Sequence, residues 1–565
     1  MKTLLTLTLS LLYAGHALAA DVPDAGSILR DQPKAPVPRP VVPGPALIPE
    51  APAADVQDQG PRILVKSFRI VGASLIAESE LQGQLTDYLG KEYSFKQLQG
   101  IALRLIGYYA QKGYLARVFL APQNNADGSV TFTVVEGKLG ALMLAPQLDT
   151  SRIDVARAQR FLAARLNPGD PLSLPAVGEA MNVLNEQPGI QARTALKPGG
   201  NEGAVDLLVT ATETPLTLWG AQLSNGGSRG TGELYGIGSV TLNNPTGRFD
   251  QASLLLSGSD GITFVSGDYS LAVGDRGLRL GINASHLDYR LTQASLRPLQ
   301  GHGTADTFGA SASYPLERLT ESQFTLTGSL NQKRLQDHAS GAETGNRSVT
   351  VGSVGVSGWR ASRQLAGVSS YGASLSVVDA DLAGNAAALA QDQAGRQTNG
   401  GHTKVSWYAG HMMALPGSWN LAASLRGQFA DGNLDSSERF SLGGPNGVRA
   451  YPVGEAAGDE GWLLSLNLLR PINDGLSAKL FVDYGEIKLN KNTWTGWNAG
   501  NTQLKNTYAL SAAGAGIDWK INKSSTLNAT FAAPLGSNPG RDCNGLDADS
   551  RHLTARIWVG LVANF

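Results

Sequence analysis

From Leu216 to Phe565 the chain alternates apolar and polar residues with a period of two, and this limits the fold more than any other feature. At its end, Leu553, Ala555, Ile557, Val559, Leu561, Ala563 and Phe565 are all apolar, with Thr554, Arg556, Trp558, Gly560, Val562 and Asn564 between them. Phe324, Leu326, Gly328 and Leu330 alternate in the same way with Thr325, Thr327, Ser329 and Asn331. Such two-faced segments of about ten residues are the pattern of a transmembrane barrel, whose closure leaves no backbone amide unpaired in lipid. They recur roughly every twenty residues, which predicts about 16 antiparallel strands over 216–565, with short and long connections in turn. All nine tryptophans lie in this zone and can form the aromatic girdles of a bilayer-spanning wall. A mean hydropathy of −0.11, with no long apolar run after residue 20, excludes a helical membrane protein.

The other end sets the compartment. Met1-Lys2-Thr3, an apolar run from Leu4 to Ala14 and Ala17-Leu18-Ala19 together make an export signal, giving a signal peptide over 1–19. Residues 20–32 follow as a short, plug-like helix centred on Pro23 to Gln32. Alone, a helix of that length is marginal, so it needs a cavity or a partner. Pro33, Pro36, Pro38, Pro40, Pro43, Pro45, Pro49 and Pro52 then make 33–62 a proline-rich linker, extended and semi-rigid.

Between linker and barrel, two stretches repeat one order of strand, helix, helix, strand, strand, over 63–140 and 141–215. In the first, Val65 to Val71 is a strand, Glu78 to Leu89 a helix, and Ser94 with Gln97 caps a second helix carrying Phe95, Leu98, Ile101, Leu105 and Tyr108. Strands Tyr114 to Leu120 and Val130 to Glu136 close it. The second has helices from Ile153 and from Ser173, then strands from Ile190 and Ala204. An α/β unit with an open sheet edge can take up an extended client as an added strand.

The composition argues against other functions. Lys+Arg is 46 and Asp+Glu is 47, which lacks the basic excess of a nucleic-acid binder. The single cysteine, Cys543, excludes a disulfide framework or a cysteine-held metal centre. Six of the seven histidines (His286, His302, His338, His402, His411, His552) are scattered through the barrel zone, and His16 lies in the signal. Gly226-Gly227-Ser228-Arg229-Gly230 fits G-x-S-x-G but lacks the strand-to-helix setting of a nucleophile elbow, so it is read as a turn. No catalytic residue, cofactor or metal is expected, and the chain is not read as an enzyme.

One segment, 443–461, is too rich in turn residues to cross lipid and must be a long loop, outside the barrel or folded into it. Its one cation, Arg449, sits between Val448 and Tyr451. It is either held inward against a carboxylate or solvated at the surface. Val448-Arg449-Ala450-Tyr451 resembles the loop motif of the two-partner-secretion outer-membrane transporters of haemolysins and filamentous haemagglutinins, within the Omp85 superfamily. The resemblance extends over nearly the whole mature chain: signal, short helix, proline-rich linker, two POTRA-like α/β domains and a barrel ending in phenylalanine. Phe481-Val482-Asp483-Tyr484-Gly485 resembles the family's second motif, whose aspartate faces the lumen. The resemblance implies that Arg449 pairs with Asp483 and holds the loop inside the barrel. It also implies that Phe565 is an assembly signal. Ala450 stands where the family most often has glycine, so a left-handed backbone there would be costly.

The family's function follows as an expectation. The POTRA-like domains would capture one large, unfolded secreted partner in the periplasm, and the barrel would export it as an adhesin, haemolysin or contact-dependent toxin. The other partners are outer-membrane lipid and the barrel-assembly machinery. The alternatives are an Omp85-type factor that assembles other barrels, whose relatives carry more repeats, and a solute porin, which has no need of the repeats.

Overall fold

A computed structural model describes residues 22–32, 61–123, 127–146, 152–362 and 364–565. The signal peptide expected over 1–19 and all of the linker up to residue 60 lie outside the described residues.

Sixteen antiparallel strands close into a barrel, from Thr217–Ser224 to Arg556–Asn564, and the last strand pairs with the first. Closure follows from the alternation. In Arg556–Asn564 the odd-numbered Ile557 and Val559 are 61% and 40% exposed on the outer wall, while Arg556 and Gly560 are buried on the inner one. Phe565 continues the seam, exchanging backbone hydrogen bonds with Trp219 at 2.9 and 3.1 Å. Trp219, Trp419 and Trp519 lie at the barrel end that carries the α/β units. Nearer the opposite end, the rings of Trp407 and Phe429 are 6.2 Å apart, and those of Trp462 and Tyr484 are 5.4 Å apart. These are the two girdles expected of a bilayer-spanning wall. The wall is uneven: strands range from 8 residues to the 21 of Ala342–Ser362, which at roughly 3.3 Å per residue overruns a hydrocarbon core.

The two α/β units share one topology. In the first, Ser129–Glu136 is central, parallel to Ser67–Val71 and antiparallel to Ala116–Phe119. Helix Phe95–Gln111 starts at the expected Ser94–Gln97 capping box and buries Leu98, Ile101, Leu105 and Tyr109. The expected helix from Glu78 stops at Gly83, and a separate 3₁₀ turn covers Thr86–Tyr88. In the second unit, Ala204–Glu213 is central, parallel to Lys138–Pro146 and antiparallel to Ile190–Pro198. The second unit therefore opens at Lys138 rather than at 141, because that strand directly follows Gly137 and pairs with Ala204 onward.

Candidate functional site

The lumen holds two elements. One is a helix, Ala25–Arg30, capped by Asp24 in a reciprocal box with Ser27. Ala25 and Ile28 pack among inward-facing Leu287, Leu335 and Val349 of the wall, which supplies the burial that so short a helix needs. The other is the connection between strands Trp419–Ala430 and Glu460–Pro471. The inward loop is longer than 443–461: a 3₁₀ turn at Ser436–Glu438 and a ladder of Phe440–Ser441 with Ala457–Gly458 belong to it. Gly461 belongs instead to the next strand, where it pairs with Ile487. Sequence alone missed the earlier start because Asn433 to Phe440 lacks the glycines that mark 443–461 as a loop.

At the loop tip, Arg449 makes a bidentate pair with Asp483: Nε donates to Oδ2 at 2.8 Å and Nη2 to Oδ1 at 2.7 Å. Its Nη1 donates to Asn467 at 3.0 Å, and Ser465 donates to Asp483 at 2.8 Å. The guanidinium also lies over the Phe481 ring, 3.4 Å from its centroid. Asp483 is fully buried. A buried carboxylate is stable only when charge and hydrogen bonds compensate it, so removing Arg449 costs about 3–5 kcal/mol by leaving that charge uncompensated.

The second motif is used entirely by parity. Phe481, Asp483 and Gly485 face inward, while Val482 and Tyr484 are 46% and 40% exposed on the lipid side. Gly485 leaves room for the loop: a Cβ there would lie 2.5 Å from Leu442 Cδ2. The tip itself is tight. A Cβ on Gly447 would meet the Leu442 carbonyl at 1.9 Å, Val448 N donates to that carbonyl at 2.6 Å, and Tyr451 N donates back to Val448 at 3.1 Å. Ala450 is buried and is not among the residues with a left-handed backbone, so alanine is unstrained there. The turn takes that conformation at Gly444, Gly454 and Ala456 instead.

Trp558 and Arg556, the even-numbered residues of the last strand, hold the tip by its backbone. Trp558 Nε1 donates to Arg449 O at 2.7 Å, and Arg556 Nε donates to Ala450 O at 3.1 Å. Beside them, loop residue Glu455 accepts from Asn538 at 2.9 Å and from Ala548 N at 2.7 Å. Burial pushes its carboxyl up to about 7, and the neighbouring Asp547 and Asp549 add to the rise.

Sequence reasoning missed a second node. Arg347, on Ala342–Ser362, reaches three carboxylates: Asp24 of the helix at 2.7 Å, Asp337 of the wall at 2.8 Å and Asp435 of the loop at 2.6 Å. Ser436 donates to Asp24 at 2.8 Å, and the Ala25 amide donates to Asp337 at 2.7 Å. Below it, Glu438 is buried against Lys333 and Lys404. Burial alone would raise its pKa, but the two ammonium groups outweigh that and bring it to about 2. An inward charge is ordinary on the wall of a watery pore, so nothing in the alternation marks Arg347.

The G-x-S-x-G stretch is a turn between the first two barrel strands. A Cβ on Gly226 would lie 3.0 Å from Pro445 of the loop, and one on Gly230 would lie 3.4 Å from Pro23 before the helix. A cavity of about 750 Å³ remains between this turn, the helix and the loop.

Residues 203–517 match the family model described as haemolysin secretion/activation protein ShlB/FhaC/HecB, and 63–137 match the ShlB-type POTRA domain. The heme/hemopexin transporter protein HuxB of Haemophilus influenzae is 26% identical over 573 residues, spanning 99% of this chain and 98% of its own. The outer membrane transporter CdiB of Dickeya dadantii is 24% identical over 426 residues, 73% of this chain and 74% of its own. The hemolysin transporter protein ShlB of Serratia marcescens is 22% identical over 477 residues, 79% and 80%. Among solved structures, CdiB from Escherichia coli aligns at 19% identity with a TM-score of 0.67 over 92% of this chain and 93% of that one. BamA from Haemophilus ducreyi lacking POTRA domains 1–3 aligns at 17% with a TM-score of 0.51, over 89% and 100%. Both structural likenesses establish the fold.

Proposed function

Because the chain belongs to the haemolysin secretion/activation family ShlB/FhaC/HecB, we propose that its lumenal loop and helix form the closed gate of a pore dedicated to one secreted client. The family assignment makes the protein an outer-membrane translocator of a partner protein, with its α/β units in the periplasm. The fold alone is shared with BamA. The curated relatives that cover most of the chain carry transporter names, which favours export over barrel assembly.

The observation that carries the gate is the Arg449–Asp483 pair. It joins a loop to the barrel wall through a buried, bidentate ion pair, and the contacts of Trp558 and Arg556 to the tip's backbone carbonyls support it. A helix held in the pore by burial and by Asp24 is the second obstacle. Residues 33–60 connect the helix to the first α/β unit, so a helix that leaves the pore stays tethered to it. In the periplasm, the open edge Ile190–Pro198 of the second unit offers an extended client a strand to pair with. With no nucleotide site invoked, folding of the client outside drives the export. Phe565 serves the barrel's own assembly. HuxB aligns with the chain end to end, so a partner of the heme/hemopexin class is the first to test, ahead of adhesins and contact-dependent toxins.

The test compares secreted and outer-membrane proteomes with the gene present, deleted and carrying Arg449→Ala. Loss of one large secreted protein with the barrels unchanged is the expected result. A broad fall in barrels would instead favour assembly.

A further inference from the structure

The periplasmic rim of the barrel is not a free edge. The turn 244–250, between Tyr235–Asn243 and Gln251–Ser259, carries Phe249, whose side chain is fully buried away from the barrel, within the hydrophobic core of the second α/β unit. Its ring meets Phe161 edge-on at 5.7 Å, and the Arg157 guanidinium lies 5.8 Å from its centroid. Phe249 has φ +56°, a left-handed conformation unfavourable for a bulky side chain. The structure around it enforces that conformation: Phe249 N donates to Asn244 Oδ1 at 2.6 Å, and Arg279 Nη1 donates to Phe249 O at 2.9 Å. Strain that is over-determined in this way clusters where position matters to function.

The adjacent connections are engaged too. Arg157 Nη2 donates to Ala272 O at 2.6 Å, Arg165 Nη2 to Arg276 O at 3.1 Å, and Asn182 to Arg318 O at 2.8 Å, while Glu186 pairs with the Arg318 guanidinium. The turn 244–250, Arg276 and the strand ends at Ala272 and Arg318 therefore grip one face of the second unit, with the Phe249 ring in its core. The contacts made to backbone carbonyls fix orientation, because a carbonyl cannot move without its strand.

We infer that Phe249 is a positioning residue for export: it fastens the second α/β unit to the barrel mouth, so that unit and pore act as one body and a client held by the unit is presented at a fixed place. The inference is independent of which sheet edge the client uses and of how the lumen opens. It concerns neither the Arg449 nor the Arg347 node.

The test uses the full-length protein in the outer membrane with its secreted partner. Phe249→Ala is expected to leave the amount of heat-modifiable barrel and its pore conductance in planar bilayers unchanged, while partner secretion falls about tenfold. Protease should then cut the second unit faster than in the parent, and Phe249→Leu, which refills the pocket, should restore secretion. Wild-type secretion by Phe249→Ala would overturn the inference. If Phe249→Ala fails to reach the membrane, the pair Arg157→Ala and Glu186→Ala decides, since both side chains belong to the unit rather than the barrel. Reduced secretion with a normal barrel supports the fastening, and unchanged secretion refutes it.

Discussion

The loop tip around Arg449 and the helix seat around Arg347 solve the same problem in opposite ways. At the tip, the cation is on the loop and the carboxylate, Asp483, is on the wall. At the seat, the cation is on the wall, and the carboxylates come from helix, wall and loop together. A latch of the first kind releases one element when it breaks. A hub of the second kind holds two obstacles through one side chain, and its loss leaves Asp24, Asp337 and Asp435 facing one another unneutralised.

The largest effect should therefore come from Arg347→Ala, which strands three partly or fully buried carboxylates, each costly without a partner. The expected outcome is a pore that stays open, read as raised basal conductance in planar bilayers and sensitivity of cells to large antibiotics. A closed, wild-type-like channel would remove the hub's special status. Next, Arg449→Ala should cost about 3–5 kcal/mol at the tip. Arg449→Lys should rescue little of it, because a point charge cannot replace the two-pronged contact. Secretion assays on both variants check this, and full rescue by lysine would show that charge alone suffices.

Asp24→Asn is smaller. It keeps a capping side chain at the helix start and leaves Arg347 two carboxylates. A loss of about 1 kcal/mol is expected, seen as brief openings between otherwise closed periods. The smallest effect concerns pH. Glu455 has a folded pKa raised to about 7 from an ordinary value near 4.5, so the folded loop binds the proton more tightly than an unfolded chain. Its contribution is favourable at low pH and is lost as pH rises from about 4.5 through 7. Thermal stability of the closed state should decline over that window, and Glu455→Gln should flatten the decline.

What the sequence made legible follows the same division. The outer wall could be read because lipid enforces a strict period of two, visible in Leu553 to Phe565 and in Phe324 to Asn331. The tip could be read because Gly443 to Tyr451 breaks that period and because its motif resembles a family's. The seat could not be read. Asp337 and Arg347 sit at inward positions where any polar residue fits the alternation, and their partnership depends on strand register, which a single sequence does not display. The loop's start was missed because Asn433 to Phe440 carries no glycine or proline, and the unit boundary at Lys138 because a single residue, Gly137, separates that strand from Ser129–Glu136. Phe249 was hidden most completely, an aromatic in a turn that the alternation leaves unassigned.

The most direct test of the gate is a double-mutant cycle on partner secretion with Arg449→Ala, Asp483→Ala and the two combined. If the pair acts as one latch, the combined variant secretes no less than the poorer single variant, and the coupling is large. Independent, multiplying losses would contradict the latch, as would full secretion by Arg449→Ala.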